Sequence, residues 1–62
     1  MSQLIKKERA AEIADLHPKT IERLIQRGEL PAFKLARQIR IRCADLLEWI
    51  ESHRIVPSVH DI

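Results

Sequence analysis

The sequence predicts a small, mainly α-helical domain with one β-hairpin: three short helices plus two strands. Three observations carry that expectation. Apolar residues recur at helical spacing in three stretches, around Ala10, Ile21 and Leu46. Between the second and third stretch, residues 32–42 alternate apolar and polar side chains, the period of a half-buried strand. Gly28 and Pro31 mark the passage from one pattern to the other.

The first helix is expected over residues 5–14, where Ala10, Ala11, Ile13 and Ala14 gather on one side. The alanine pair suggests a face that another helix approaches closely. Asp15-Leu16-His17 breaks the pattern, with Leu16 as the apolar plug of a tight turn. Pro18 suits the first position of a second helix, because the N–H it lacks has no intrahelical partner there. His17 then takes the N-cap. Ile21, Leu24 and Ile25 follow at i, i+3 and i+4 as one stripe, and Gly28 supplies a left-handed stop. Lys19, Glu22, Arg23, Gln26 and Arg27 are left pointing outward.

Leu30-Pro31 turns the chain into two strands, residues 32–35 and 38–42, joined by Ala36-Arg37. Alternation assigns Phe33, Leu35, Ile39 and Ile41 to one face, and Lys34, Gln38, Arg40 and Arg42 to a basic outer face. A last helix is expected over residues 44–53, with Leu46, Trp49 and Ile50 as its buried stripe. Phe33 and Trp49, the only aromatics, fall in apolar stripes and are read as core. Residues 1–54 are thus expected to form the domain, and residues 55–62, with Pro57 and Ser58, a flexible or partner-docking tail.

Several functions are excluded at this size. A chain of 62 residues buries only about 60% of its unfolded surface and cannot enclose a substrate pocket of ordinary volume. Neither paired carboxylates, a nucleophile beside a base, nor a phosphate loop is visible, so no enzyme and no cofactor is expected. His17, His53 and His60 share no ligand spacing, and with Cys43 they offer no zinc set. The single cysteine fits a reducing cytoplasm. No apolar run approaches the roughly 18 residues of a membrane span, and Lys6, Lys7, Glu8 and Arg9 interrupt any leader-like stretch. A cytoplasmic location, in the nucleoid of a host cell, follows as an expectation.

The net charge of +2 is modest, but it is unevenly placed. Between Glu29 and Asp45 there is no acid, while Lys34, Arg37, Arg40 and Arg42 all fall there. Asp45, Glu48 and Glu51 then follow at three-residue spacing along one helix face. Helix, tight turn, helix, basic hairpin, helix is the layout of a winged helix-turn-helix. In such a layout the second helix fits a major groove about 12 Å wide and the hairpin is the wing.

The candidate site residues follow from that layout. Pro18 opens the recognition helix, and Lys19 with the first backbone amides suits a phosphate. Thr20 suits a phosphate or a thymine methyl, Arg27 a phosphate, and Gln26 lies at the edge of the same face. Arg23 suits bidentate pairing with guanine, and Glu22 either accepts from a cytosine amino group or orients Arg23. On the wing, Lys34, Gln38, Arg40 and Arg42 would grip backbone, with Arg37 at the tip placed for a minor groove. Of these, Arg42 is the most structural. The plain alternative is a solvated helix face and charged edge residues that discourage aggregation.

The sequence also resembles the excisionase family, related to the DNA-binding domain of mercury-resistance-type (MerR) regulators. The match rests on Ala10-Ala11-Glu12-Ile13, Thr20-Ile21, Arg23-Leu24-Ile25, the run Arg27-Gly28-Glu29-Leu30-Pro31-Ala32-Phe33-Lys34, Arg40-Ile41, Asp45-Leu46 and Trp49-Ile50. Four positions depart from the family pattern. Lys6 stands where Ser or Thr often caps the first helix, Asp15 at the turn glycine, His17 at a small N-cap, and Ala36 at the wing-tip glycine. Ala36 therefore argues against a positive-φ turn at the tip.

The resemblance implies a recombination directionality factor of a phage or mobile element. Such a protein binds and bends double-stranded DNA so that a tyrosine integrase excises rather than integrates. It also implies cooperative self-association on DNA, expected here head to tail through the acidic and apolar C-terminal region. Effector-sensing regulators carry a long dimerisation helix, for which the twelve residues after Ile50 leave no room. A small prophage or plasmid transcriptional regulator is the second reading, and a protein-interaction module without DNA binding the third.

Overall fold

Extended backbone precedes the first helix where the helical pattern suggests none. In a computed structural model that describes residues 3–57, Ile5 does not open the first helix; it closes a short strand. The order is β1 (Leu4–Ile5), α1 (Lys7–Ala14), α2 (Pro18–Gln26), β2 (Phe33–Leu35), β3 (Gln38–Arg42) and α3 (Cys43–Ser52). The sheet thus has three strands, in the order β1-β3-β2, where the sequence suggested two. Both pairings are antiparallel, with Ile5 opposite Ile41 and Leu4 opposite Arg42. The Cys43 N–H donates to the Gln3 carbonyl at 2.8 Å, which continues the β1–β3 contact past the strand end. Two residues of strand carry too little periodicity to be told from the first turn of a helix.

The three helices appear in the expected stretches, and local contacts define both ends of α2 and the end of α1. Lys6 is extended at the N-cap of α1 and makes no side-chain cap bond. Asp15 ends α1 in the left-handed region, φ 56°, ψ 47°. The Leu16 N–H donates to the Ala11 carbonyl at 2.8 Å and the Asp15 N–H to the Glu12 carbonyl at 3.2 Å. That pair of bonds is a Schellman motif. It recurs after α2, where Gly28 has φ 75° and the Glu29 and Gly28 amides donate to the Leu24 and Ile25 carbonyls. His17, a weak capping residue type, nevertheless caps α2: its Nδ1 accepts from the Lys19 N–H at 3.1 Å.

The core is formed by Ile5, Ala10, Ala11, Ile21, Leu24, Leu30, Ile41 and Leu46. Ile21, Leu30, Ile41 and Leu46 are fully enclosed, each worth about 1.5–3 kcal/mol of transfer free energy. Ala10 and Ala11 lie where α1 packs on α2, α3 and β3, the close approach that small side chains permit. Three apolar assignments need correcting. Leu16 and Ile13 sit at the surface, and Leu30, after the Gly28 turn, is the plug instead. Phe33 is not part of the core; it is half-buried on the outer sheet face, with the Arg42 guanidinium 5.1 Å from its ring centroid. Trp49 packs against the core edge and its ring meets His53 at 4.4 Å. Residues 58–62, most of the proposed tail, lie outside the described residues; Ile55 and Val56 are exposed. Among the described residues, no helix is long and apolar enough to cross a membrane.

Candidate nucleic-acid interface

At 3.6 residues per turn, burying Ile21 and Leu24 turns a definite set of α2 side chains outward. Lys19, Arg23 and Gln26 form the outermost stripe and are all exposed. Glu22, half-buried, bounds one flank of it beside Gln26; Thr20, half-buried, and Arg27 bound the other. Pro18, at the first helical position, has no N–H, the Lys19 amide is capped by His17 and the Thr20 amide bonds the His17 carbonyl, so the expected phosphate site on free N-terminal amides beside Lys19 is not formed.

The wing is a two-residue hairpin whose register decides where its cations point. Leu35 pairs with Gln38, Lys34 with Ile39 and Phe33 with Arg40. Residues directly opposite in an antiparallel pair share a face. Lys34 therefore shares a face with Ile39 and Ile41, while Phe33 and Leu35 share the other with Gln38, Arg40 and Arg42. This corrects the assignment of Lys34 to the same face as Gln38, Arg40 and Arg42. Alternation is legible within each strand, but a two-residue loop pairs positions i and i+3, which inverts one strand's pattern against the other's.

The loop itself corrects a second expectation. Ala36 has φ 47° and Arg37 φ 72°, both left-handed, as a type I′ turn demands. The turn matches the right-handed twist of the strands, and with no glycine or asparagine available the two residues take the strained conformation. Arg37 is exposed at its tip.

An open cleft of about 170 Å³ joins the two halves of the site. It is lined by Lys7, Glu22, Ile25, Gln26 and Ile39. The sheet face that carries Ile39 and Lys34 thus borders α2 on its Glu22–Gln26 flank. Gln38, Arg40 and Arg42 occupy the opposite sheet face.

Internal partners separate the cations further. Arg40 donates to the Gln38 side-chain oxygen at 2.6 Å and to the Ile39 carbonyl at 2.9 Å. Arg42 lies 3.7 Å from Asp45 and over the Phe33 ring. Arg27 faces Glu29 at 3.7 Å. Glu22 accepts from Lys7 of α1 at 3.0 Å, and this cation holds its carboxyl below the usual value. Among the described residues, no hydrogen bond or close ion pair engages the Lys19, Arg23, Lys34 or Arg37 side chain, although Lys19 is near enough to Glu22 to help lower its carboxyl. Lys7 was not visible as part of this site from sequence, since its partner lies fifteen residues away and on another helix.

Two helices joined by a left-handed turn, followed by a hairpin whose inner face borders the second helix, define a winged helix-turn-helix domain. A family model described as a helix-turn-helix domain matches residues 5–54. The chain belongs to that family, the family of excisionase-like small DNA-binding proteins, which makes DNA its partner class. Comparison with curated proteins and with solved structures returns no match.

Proposed function

We propose that this protein is a sequence-specific DNA-binding and DNA-bending architectural factor, an excisionase that directs a tyrosine integrase towards excision. The observation that carries the reading is the exposed pair Lys19 and Arg23 on α2 with the exposed pair Lys34 and Arg37 on the wing, whose Ile39-bearing sheet face borders α2 across one cleft. Each is free to exchange its counterion for a phosphate or a base edge without breaking an internal bond. Arg23 reads a base, Lys19 and Lys34 hold backbone, and Arg37 reaches the adjacent minor groove. Thr20, Gln26 and Arg27 serve the margins of the helix. Gln38, Arg40 and Arg42 brace the wing and approach only DNA that wraps around it. Head-to-tail association on neighbouring sites belongs to the same proposal, as does a non-catalytic role.

A titration of duplex DNA at several salt concentrations tests the binding. Three to four phosphate contacts give a slope of log K against log salt of about −3 to −4. A slope near zero would leave the protein-interaction reading. Circular-permutation gels then separate an architectural factor from a simple regulator. A sharp bend, together with stimulated excision by the integrase, supports the proposal, and an unbent duplex supports the transcriptional regulator.

A further inference from the structure

Glu22 is the only acid on α2, and it is poorly placed for a helix that meets a polyanion. It precedes Arg23 and lines the cleft with Gln26 and Ile39, between the two elements that would touch the duplex. A duplex spanning α2 and the wing crosses the mouth of that cleft. An uncompensated carboxylate there repels the backbone phosphates at close range, where salt screens little. Lys7 projects from α1 into the same cleft and meets Glu22 at 3.0 Å, with both side chains about one-third exposed.

We propose that Lys7 is a positioning residue for DNA binding: its ammonium clamps and neutralises the Glu22 carboxylate so that the Glu22–Gln26 flank of α2 presents no uncompensated carboxylate beside the wing. The inference rests on the DNA-binding reading above. Lys7 acts through Glu22 and does not itself hold a phosphate. Its contribution exists only because Glu22 is there, and that distinguishes it from Lys19, Lys34 and Arg37.

The test is a double-mutant cycle with Lys7→Met, Glu22→Gln and the double variant, read by DNA affinity, salt slope and thermal melting. Lys7→Met is expected to weaken binding about five- to tenfold, by exposing one like charge at the interface. Glu22→Gln sets its own baseline, and adding Lys7→Met to it lowers affinity no further, so the loss seen with Lys7→Met alone is absent from the double variant. Two results overturn the proposal. A double variant as weak as Lys7→Met, with the salt slope reduced by about 0.9, makes Lys7 a phosphate contact. A lowered melting temperature with unchanged affinity makes the pair a plain interhelix tie. The unmodified protein's own titration reports separately on the underlying reading: if it does not bind duplex DNA, both fall.

Discussion

The wing tip sets stability against function at one residue. Arg37 sits at φ 72° beside Ala36 at φ 47°, each with a Cβ in a region that disfavours side chains. A left-handed backbone costs an L residue roughly 1–2 kcal/mol, and glycine escapes that cost while losing roughly 0.5–1 kcal/mol of backbone entropy on folding. Arg37→Gly should therefore stabilise the domain by about 0.5–1 kcal/mol. For a domain of this size that is a rise in melting temperature of roughly 2–8 °C. The same substitution removes the exposed tip cation, so affinity for duplex DNA should fall several-fold and the salt slope flatten by about 0.9. Ala36→Gly is the control, relieving the neighbouring strain and leaving Arg37 in place: melting rises and affinity stays. Circular-dichroism melts and anisotropy titrations of the two variants measure both effects. The reasoning is refuted if Arg37→Gly melts lower than the parent, or if it binds DNA with the parent's affinity and slope.

Arg23→Ala should cost about 1–3 kcal/mol of discrimination at one base pair, seen as lost preference among single-base variants of the site; an equal loss on every duplex would make Arg23 a phosphate contact. Gly28→Ala should lower the melting temperature by roughly 4–8 °C through backbone strain alone. Nothing lies within 4 Å of the added Cβ, and an unchanged melt contradicts the αL account. Leu46→Ala should cost about 2–5 kcal/mol in denaturant unfolding and Phe33→Ala distinctly less than the 3–5 kcal/mol typical of a buried ring, because only Leu46 is enclosed. Lys7 lowers the Glu22 carboxyl from 4.5, so the pair stabilises the fold above that pH and its contribution is lost as pH falls through the lower folded value. The melting gap between the parent and Glu22→Gln should therefore narrow as pH falls from neutral to below 4.5, and a constant gap contradicts the pairing.

The position of α2 was legible because it carries its own punctuation. Pro18 and Gly28 bound α2, and Ile21 and Leu24 face the core as their spacing requires. Core membership was less legible: Leu16 and Leu30 both follow helix-ending turns, and only tertiary packing selects Leu30. Strand β1 escaped because its partner lies across the fold, opposite Ile41. The wing showed the same limit more sharply. Its strands were found to within one residue, yet the faces depended on a two-residue loop that sequence-level turn preferences argued against. As to the interface, exposure of Lys19 and Arg23 follows from helical periodicity. The engagement of Glu22 by Lys7, and of Arg40 by Gln38, depends on distances that spacing along the chain does not encode.

Hydroxyl-radical footprinting on one binding site tests whether the outer stripe of α2 and the tip of the wing address a single duplex together. The account predicts protection beside a major groove and at the adjoining minor groove on the same side of the DNA, with Arg37→Gly erasing only the second patch. Protection confined to one patch in the unmodified protein, or a second patch that survives Arg37→Gly, would contradict it.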